Sequence, residues 1–177
     1  MKRNQIRWMN IQLLYGRTKI KSLGACVVPS KGECEYATRR GAQDMNNILG
    51  YNKMNFKGDQ EPGLRVLMSN VKALSGDQCT LDDSPVGDSQ NNGDVESAVK
   101  QVQGQFKTMT SDLERCYKRV IPANHNVMPF LVRHSGGTIN REHIEADGMT
   151  AYKRLKGKGS KKKLLKVRKY VVSEDPE

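Results

Sequence analysis

Several things are scarce in this 177-residue chain, and each scarcity excludes something. Its four cysteines, Cys26, Cys34, Cys79 and Cys116, form no CxxC pair, and its three histidines, His125, His134 and His143, do not join them at finger spacing. A structural zinc site is therefore not expected, and the thiols read as reduced. No signal peptide and no long apolar run is present, which points to an intracellular chain, nuclear or cytoplasmic, without a membrane partner. Aromatics make up 6% and apolar residues 36% of the composition, enough for a modest core but not for a chain packed throughout. Acidic residues are also short against basic ones, leaving a net charge of +11.

An excess of that size on a small chain points to a polyanionic partner, nucleic acid first. Its distribution is uneven. Residues 1–40 are basic, and 153–169 hold ten Lys and Arg with no acid. Between Lys72 and Lys100 there is no basic residue, while Asp77, Asp82, Asp83, Asp88, Asp94 and Glu96 all fall there. Basic flanks around an acidic middle suit a protein that grips phosphates and holds a divalent cation near its centre.

Short β-branched runs at 5–15 and 20–28 predict two strands with a turn at Gly16-Arg17. Residues 33–49 predict a helix with Tyr36, Ala37, Met45, Ile48 and Leu49 on its apolar side, stopped by Gly50. A strand at 53–57 leads to Gly58-Asp59, and Pro62 opens a helix whose apolar face is Leu64, Leu67, Met68, Val71 and Leu74. A further strand is predicted at 78–81 and a loop at 84–93. Then Val95, Val99, Val102, Phe106, Met109, Leu113, Cys116 and Val120 step by threes and fours, the signature of one long amphipathic helix with Glu96 in its first turn. Helices at 127–141 and 149–155 and a low-complexity basic tail complete an α/β order.

Asp59, at a strand end, and Glu96, at a helix start, are placed where carboxylates can converge on a shared divalent cation. Two such cations activate and stabilise oxygens in phosphoryl transfer. The plain alternative makes Asp59 a helix cap and Glu96 a surface acid. The surrounding residues bear on the choice. Pro85, Gln90, Asn92, Gly93 and Glu96 match in order the P…Q.NG..E pattern around the last glutamate of retroviral and retrotransposon integrases. FKGDQEP resembles the strand that ends in that family's second aspartate, and CVVPSKGECEYA resembles the segment before it. Downstream, His134, Asn140, Arg141, Asp147, Gly148, Thr150, Tyr152 and Arg154 fit the stretch after the core in copia-like elements, where a helix leads into DG.T.Y.R..G. The resemblance spans Leu23 to Lys158.

That resemblance implies a ribonuclease H-like fold, a mixed five-stranded sheet flanked by helices, over residues 1–121. A helical extension would follow at 122–156 and a basic tail at 157–177. It implies Mg²⁺ or Mn²⁺ on Asp59 and Glu96, a DNA partner, self-association into a homo-oligomer, and DNA contacts from Lys100, Gln103, Lys107 and Lys118 on the long helix. One departure is plain: the family's first aspartate has no counterpart, because no Asp precedes Asp44. The expected sheet is thus incomplete at its first strand, and the expected chemistry, DNA integration, is expected to be lost. A nucleic-acid-binding protein without catalysis and a relic without function are the alternatives.

Overall fold

A computed structural model describes residues 10–15, 20–28, 33–49, 54–58, 61–75, 79–83 and 89–161. Strands β1 (Asn10–Tyr15) and β2 (Gly24–Val28) pair antiparallel, with Asn10 opposite Val28 and an irregularity between Leu13 and Tyr15. Helix α1 (Glu35–Gln43) continues into a π-helical turn, Asp44–Leu49. Strand β3 (Met54–Gly58) runs parallel to β4 (Cys79–Asp83), and α2 (Pro62–Ser75) is the crossover between them. The long helix α3 (Ser89–Tyr117), α4 (Val127–Glu142) and the short α5 (Ala151–Lys156) follow. Among the described residues the strands form two two-stranded sheets, not the single five-stranded sheet that the resemblance implied.

β2 is the pivot of the packing. Its side chains alternate between faces, and both faces are covered. Leu23, Ala25 and Val27 meet Ala98, Val102, Phe106 and Leu113 of α3 and Met128, Leu131 and Val132 of α4. Cys26 and Val28 meet Ala37, Ala42 and Met45 of the α1 segment and Leu67 and Val71 of α2. This is a helix–strand–helix sandwich with a core on either side, and burial raises the pKa of the Cys26 thiol to about 11, with Cys34 and Asp44 adding and Arg40 opposing. α1 and α2 approach closely at Gly41, where an added Cβ would lie 3.1 Å from a methyl of Val71.

The strand and helix order matches the sequence expectations, and the differences have local causes. Residues 20–23 are not strand: Lys21 takes a left-handed backbone (φ 56°), which breaks an extended run. The buried side of α1 is Ala37, Thr38, Gly41 and Ala42, a four-residue repeat that leaves Tyr36 53% exposed. On α2 Leu74 is likewise exposed. α3 starts at Ser89, inside the expected loop, so Glu96 is its eighth residue and lies beyond the first turn. At its other end α3 stops at Tyr117, and Val120 is 83% exposed outside it. The apolar stripe is buried only in its central part, where α4 and β2 are there to cover it. The residues at 5–9, Gly16-Arg17, Pro29, Gly50, Asp59 and the tail beyond residue 161 lie outside the described residues.

Candidate nucleic-acid interface

α3 is held by one face and open on the other. Val102, Phe106 and Leu113 are fully buried, while Glu96, Lys100, Gln103 and Lys107 are all exposed on the opposite side. Their spacing of four, three and four aligns them along the helix. From Ser97 to Ser111 there is no acidic residue, so this solvent face is purely basic and polar over four turns. Lys118 does not belong to it in the expected way. It is exposed, but it lies past the helix end with φ 52°, in the turn toward α4.

Of the two expected metal ligands, only Glu96 lies among the described residues. β3 ends at Gly58, and Asp59 is outside the described residues. Glu96 is exposed, with the Lys100 ammonium one helical turn away on the same face. Among the described residues no three His, Cys, Asp or Glu side chains are grouped to hold a metal ion. A hard divalent cation needs several converging oxygens, and Glu96 by itself does not supply them. Nor is any helix among the described residues long and apolar enough to cross a membrane.

The downstream motif turns out to be a clasp. Asn140, near the end of α4, pairs its side-chain amide with the backbone of Leu23 as a neighbouring strand would: the Leu23 N–H donates to Oδ1 at 2.8 Å, and Nδ2 donates to the Leu23 carbonyl at 2.7 Å. Lys21 Nζ donates to Glu145 at 2.9 Å. Gly148 supplies the left-handed residue (φ 73°) of a tight turn in which its N–H donates to the Glu145 carbonyl. Arg154 grips Asp147 with two nitrogens, Nε at 3.1 Å and Nη2 closer, and reaches the Ile20 carbonyl. Thr150 caps α5 by accepting from the Lys153 N–H, and Gly157 (φ 69°) ends it. Residues 20–23, left without strand pairing by the Lys21 kink, are thus fixed by side chains from 140 to 154. His134 stacks on Phe130 at 5.4 Å between ring centres; a packed position of this kind supports a structural role.

The clasp has a pH signature. The Lys21 hydrogen bond holds the Glu145 carboxyl below the usual carboxylate range, against some burial and with His143 and Arg154 assisting. The Arg154 hydrogen bond does the same for Asp147. Burial, then the charge of Arg141, pushes the His134 imidazole below its ordinary value. A depressed carboxyl contributes stability above its unfolded pKa, about 4, that is lost as the pH falls through the folded value. A depressed histidine is neutral in the fold, so stability declines as the pH drops through the unfolded value, about 6.5. The melting midpoint should therefore fall in two steps on acidification, near pH 6 and again below pH 4. The double substitution Glu145→Gln, Asp147→Asn should flatten only the lower step. An unchanged acid limb in that variant would disprove the assignment.

Between α3, the end of α4 and the clasp lies an open cleft of about 210 Å³. Leu23, Ala98, Ile139 and Ala151 give it apolar lining, and Ser97, Gln101, His143 and the Lys21–Glu145 pair give it polar lining. These residues come from four separate stretches of chain, so no sequence pattern marked them. Only Asn140, Asp147, Gly148, Thr150 and Arg154 had a signal, as motif positions.

No family model and no curated protein sequence matches the chain. Among solved structures it is similar to the catalytic core domain of BIV integrase, with a TM-score of 0.54 and 14% sequence identity over 83% of this chain and 90% of that one. The fold of this protein is thus similar to that of an integrase catalytic core, mixed, rich in helix and with few strands.

Proposed function

We propose that this chain is a DNA-binding protein of integrase-core descent, from a copia-like retrotransposon lineage, that does not itself integrate DNA. The observation that carries the reading is the exposed lysine face of α3, free of acids from Ser97 to Ser111, on a fold similar to an integrase core. Lys100, Gln103 and Lys107 contact phosphates there, with Lys118 adding one at the turn beyond. Such contacts give affinity that falls steeply with salt and reads little sequence. On this reading residues 1–121 are the core, 122–156 its helical extension and 157–177 a basic tail that adds non-specific contacts. Self-association is part of the same family expectation.

Asp59 and Glu96 are the carboxylates that would hold Mg²⁺ or Mn²⁺. They are two of the three that the family uses, and metal ligands act as a unit, so these two by themselves would support little of the chemistry. Purified protein should bind duplex DNA at low salt, and Lys100→Ala with Lys107→Ala should lower the slope of log affinity against log salt by about 1 per lysine. It should not join a labelled donor end to target DNA with either metal. An unchanged slope removes α3 as the contact surface, and a joined product restores catalysis.

A further inference from the structure

We infer that the cleft beside α3 receives a single unpaired nucleobase, so that the protein prefers strands bearing free bases over strands that lack them. The inference rests on the nucleic-acid reading above and extends it from phosphates to bases.

Three features of the cleft define what it can take. Its volume, about 210 Å³, is below the roughly 300–1,000 Å³ of sites for drug-sized ligands, so the occupant is small. Its lining includes two alanines, Ala98 and Ala151, both buried, where larger side chains would have filled the space. This leaves an apolar bed for a body with an apolar face. The polar residues around it carry donors and acceptors together: the Gln101 amide offers both, Ser97 offers both, Glu145 accepts and Lys21 donates. A nucleobase has this same combination, an apolar face and an edge of mixed donors and acceptors. The imidazole of His143 is the one aromatic ring among the described lining residues, and it is of the kind that stacks on bases.

A phosphate fits less well. Glu145 lies in the cleft and is ionised at neutral pH, because Lys21 holds its proton affinity down. The pair together is neutral, and it would repel an anion about as much as it attracts one. Phosphates have a better place one helical step away. Ser97 is three residues before Lys100 and Gln101 is the residue after it, so the cleft opens beside the lysine face. A strand whose backbone follows Lys100 and Lys107 therefore passes the cleft mouth. A base turned out of such a strand enters the cleft without leaving the lysines. The backbone of Lys21 adds a further sign of a built site: a lysine at φ 56° is a sparsely populated conformation, held in place here by Glu145.

The test compares two fluorescently labelled single strands of equal length and charge, one with bases and one abasic, by anisotropy with the full chain. The native protein should bind the base-bearing strand roughly tenfold more tightly, within the range for one held base. Gln101→Ala, which removes the edge partner, and Ser97→Leu, which closes the cleft from an exposed helix position, should each erase that preference. Neither should change affinity for the abasic strand or the melting midpoint. Lys100→Ala with Lys107→Ala should weaken both strands alike. Equal affinity of the native chain for the two strands, or a preference that survives both cleft variants, overturns the cleft assignment while lysine-dependent binding stands. No binding of either strand at low salt overturns the nucleic-acid reading, and the cleft assignment with it.

Discussion

Phe106→Ala is expected to lower the free energy of unfolding by about 3–5 kcal/mol, the usual cost of removing a fully buried aromatic side chain. Phe106 sits at the middle of α3 and is 1% exposed, between Val102 and Leu113 of its own helix and the α4 and β2 residues of the same core. Domains of this size are stable by only about 5–15 kcal/mol, so the loss is a large share of the whole. It also bears on function. The lysine face lies on the solvent side of the same helix, and its alignment depends on the buried side staying packed. Urea titration gives the magnitude, and DNA affinity measured over the same series should be lost as the fold is lost. Val120→Ala is the comparison: Val120 is 83% exposed beyond the helix end, and its truncation should leave stability within about 0.5 kcal/mol. A cost for Phe106→Ala below about 1 kcal/mol would mean that α3 is not anchored where the packing places it.

Asn140→Ala should cost about 2–4 kcal/mol, because it leaves both backbone groups of Leu23 without their partners in a partly buried place. Two orphaned groups cost more than the two hydrogen bonds contribute, since each loses water as well as its partner. Asn140→Asp keeps the acceptor for the Leu23 N–H but turns a second oxygen toward the Leu23 carbonyl, so it should be destabilising too. Amide exchange separates this from a general loss of packing: the Leu23 N–H should lose protection in Asn140→Ala while α3 amides such as Val102 remain protected in the surviving folded population. Protection of Leu23 equal to that of the native protein would show that the clasp is not what orders residues 20–23.

How much of this was legible beforehand follows from which signals are local. The steps from Val99 to Leu113 fixed a long amphipathic helix, since a buried stripe needs only the helical repeat. Pro62 marked the start of α2 for the same kind of reason, a backbone rule acting at one residue. The ends of the stripe were not legible. Val95 and Val120 have the apolar character of the centre, and whether they are buried depends on what lies opposite. Tyr36 and Leu74 misled in the same way. The motif DG.T.Y.R..G was visible as a pattern, but its physical meaning was not. Asp147 and Arg154 are seven residues apart, and their ion pair makes sense only once the Gly148 turn and the Ile20 carbonyl are in place.

The cleft was invisible for a stronger reason. Lys21 and Glu145 are 124 positions apart, and nothing in either neighbourhood announces the other. The sequence by itself determined the charge, the order of strands and helices and the residues that carry the integrase resemblance, because composition, repeat and motif are properties of the chain read along its length. Only the tertiary structure decided that the α3 lysines share an open face, that Asn140 stands in for a strand, and that four separate stretches line a cleft. Those depend on which surfaces are covered and which are left open, and covering is settled by packing between elements far apart in the chain.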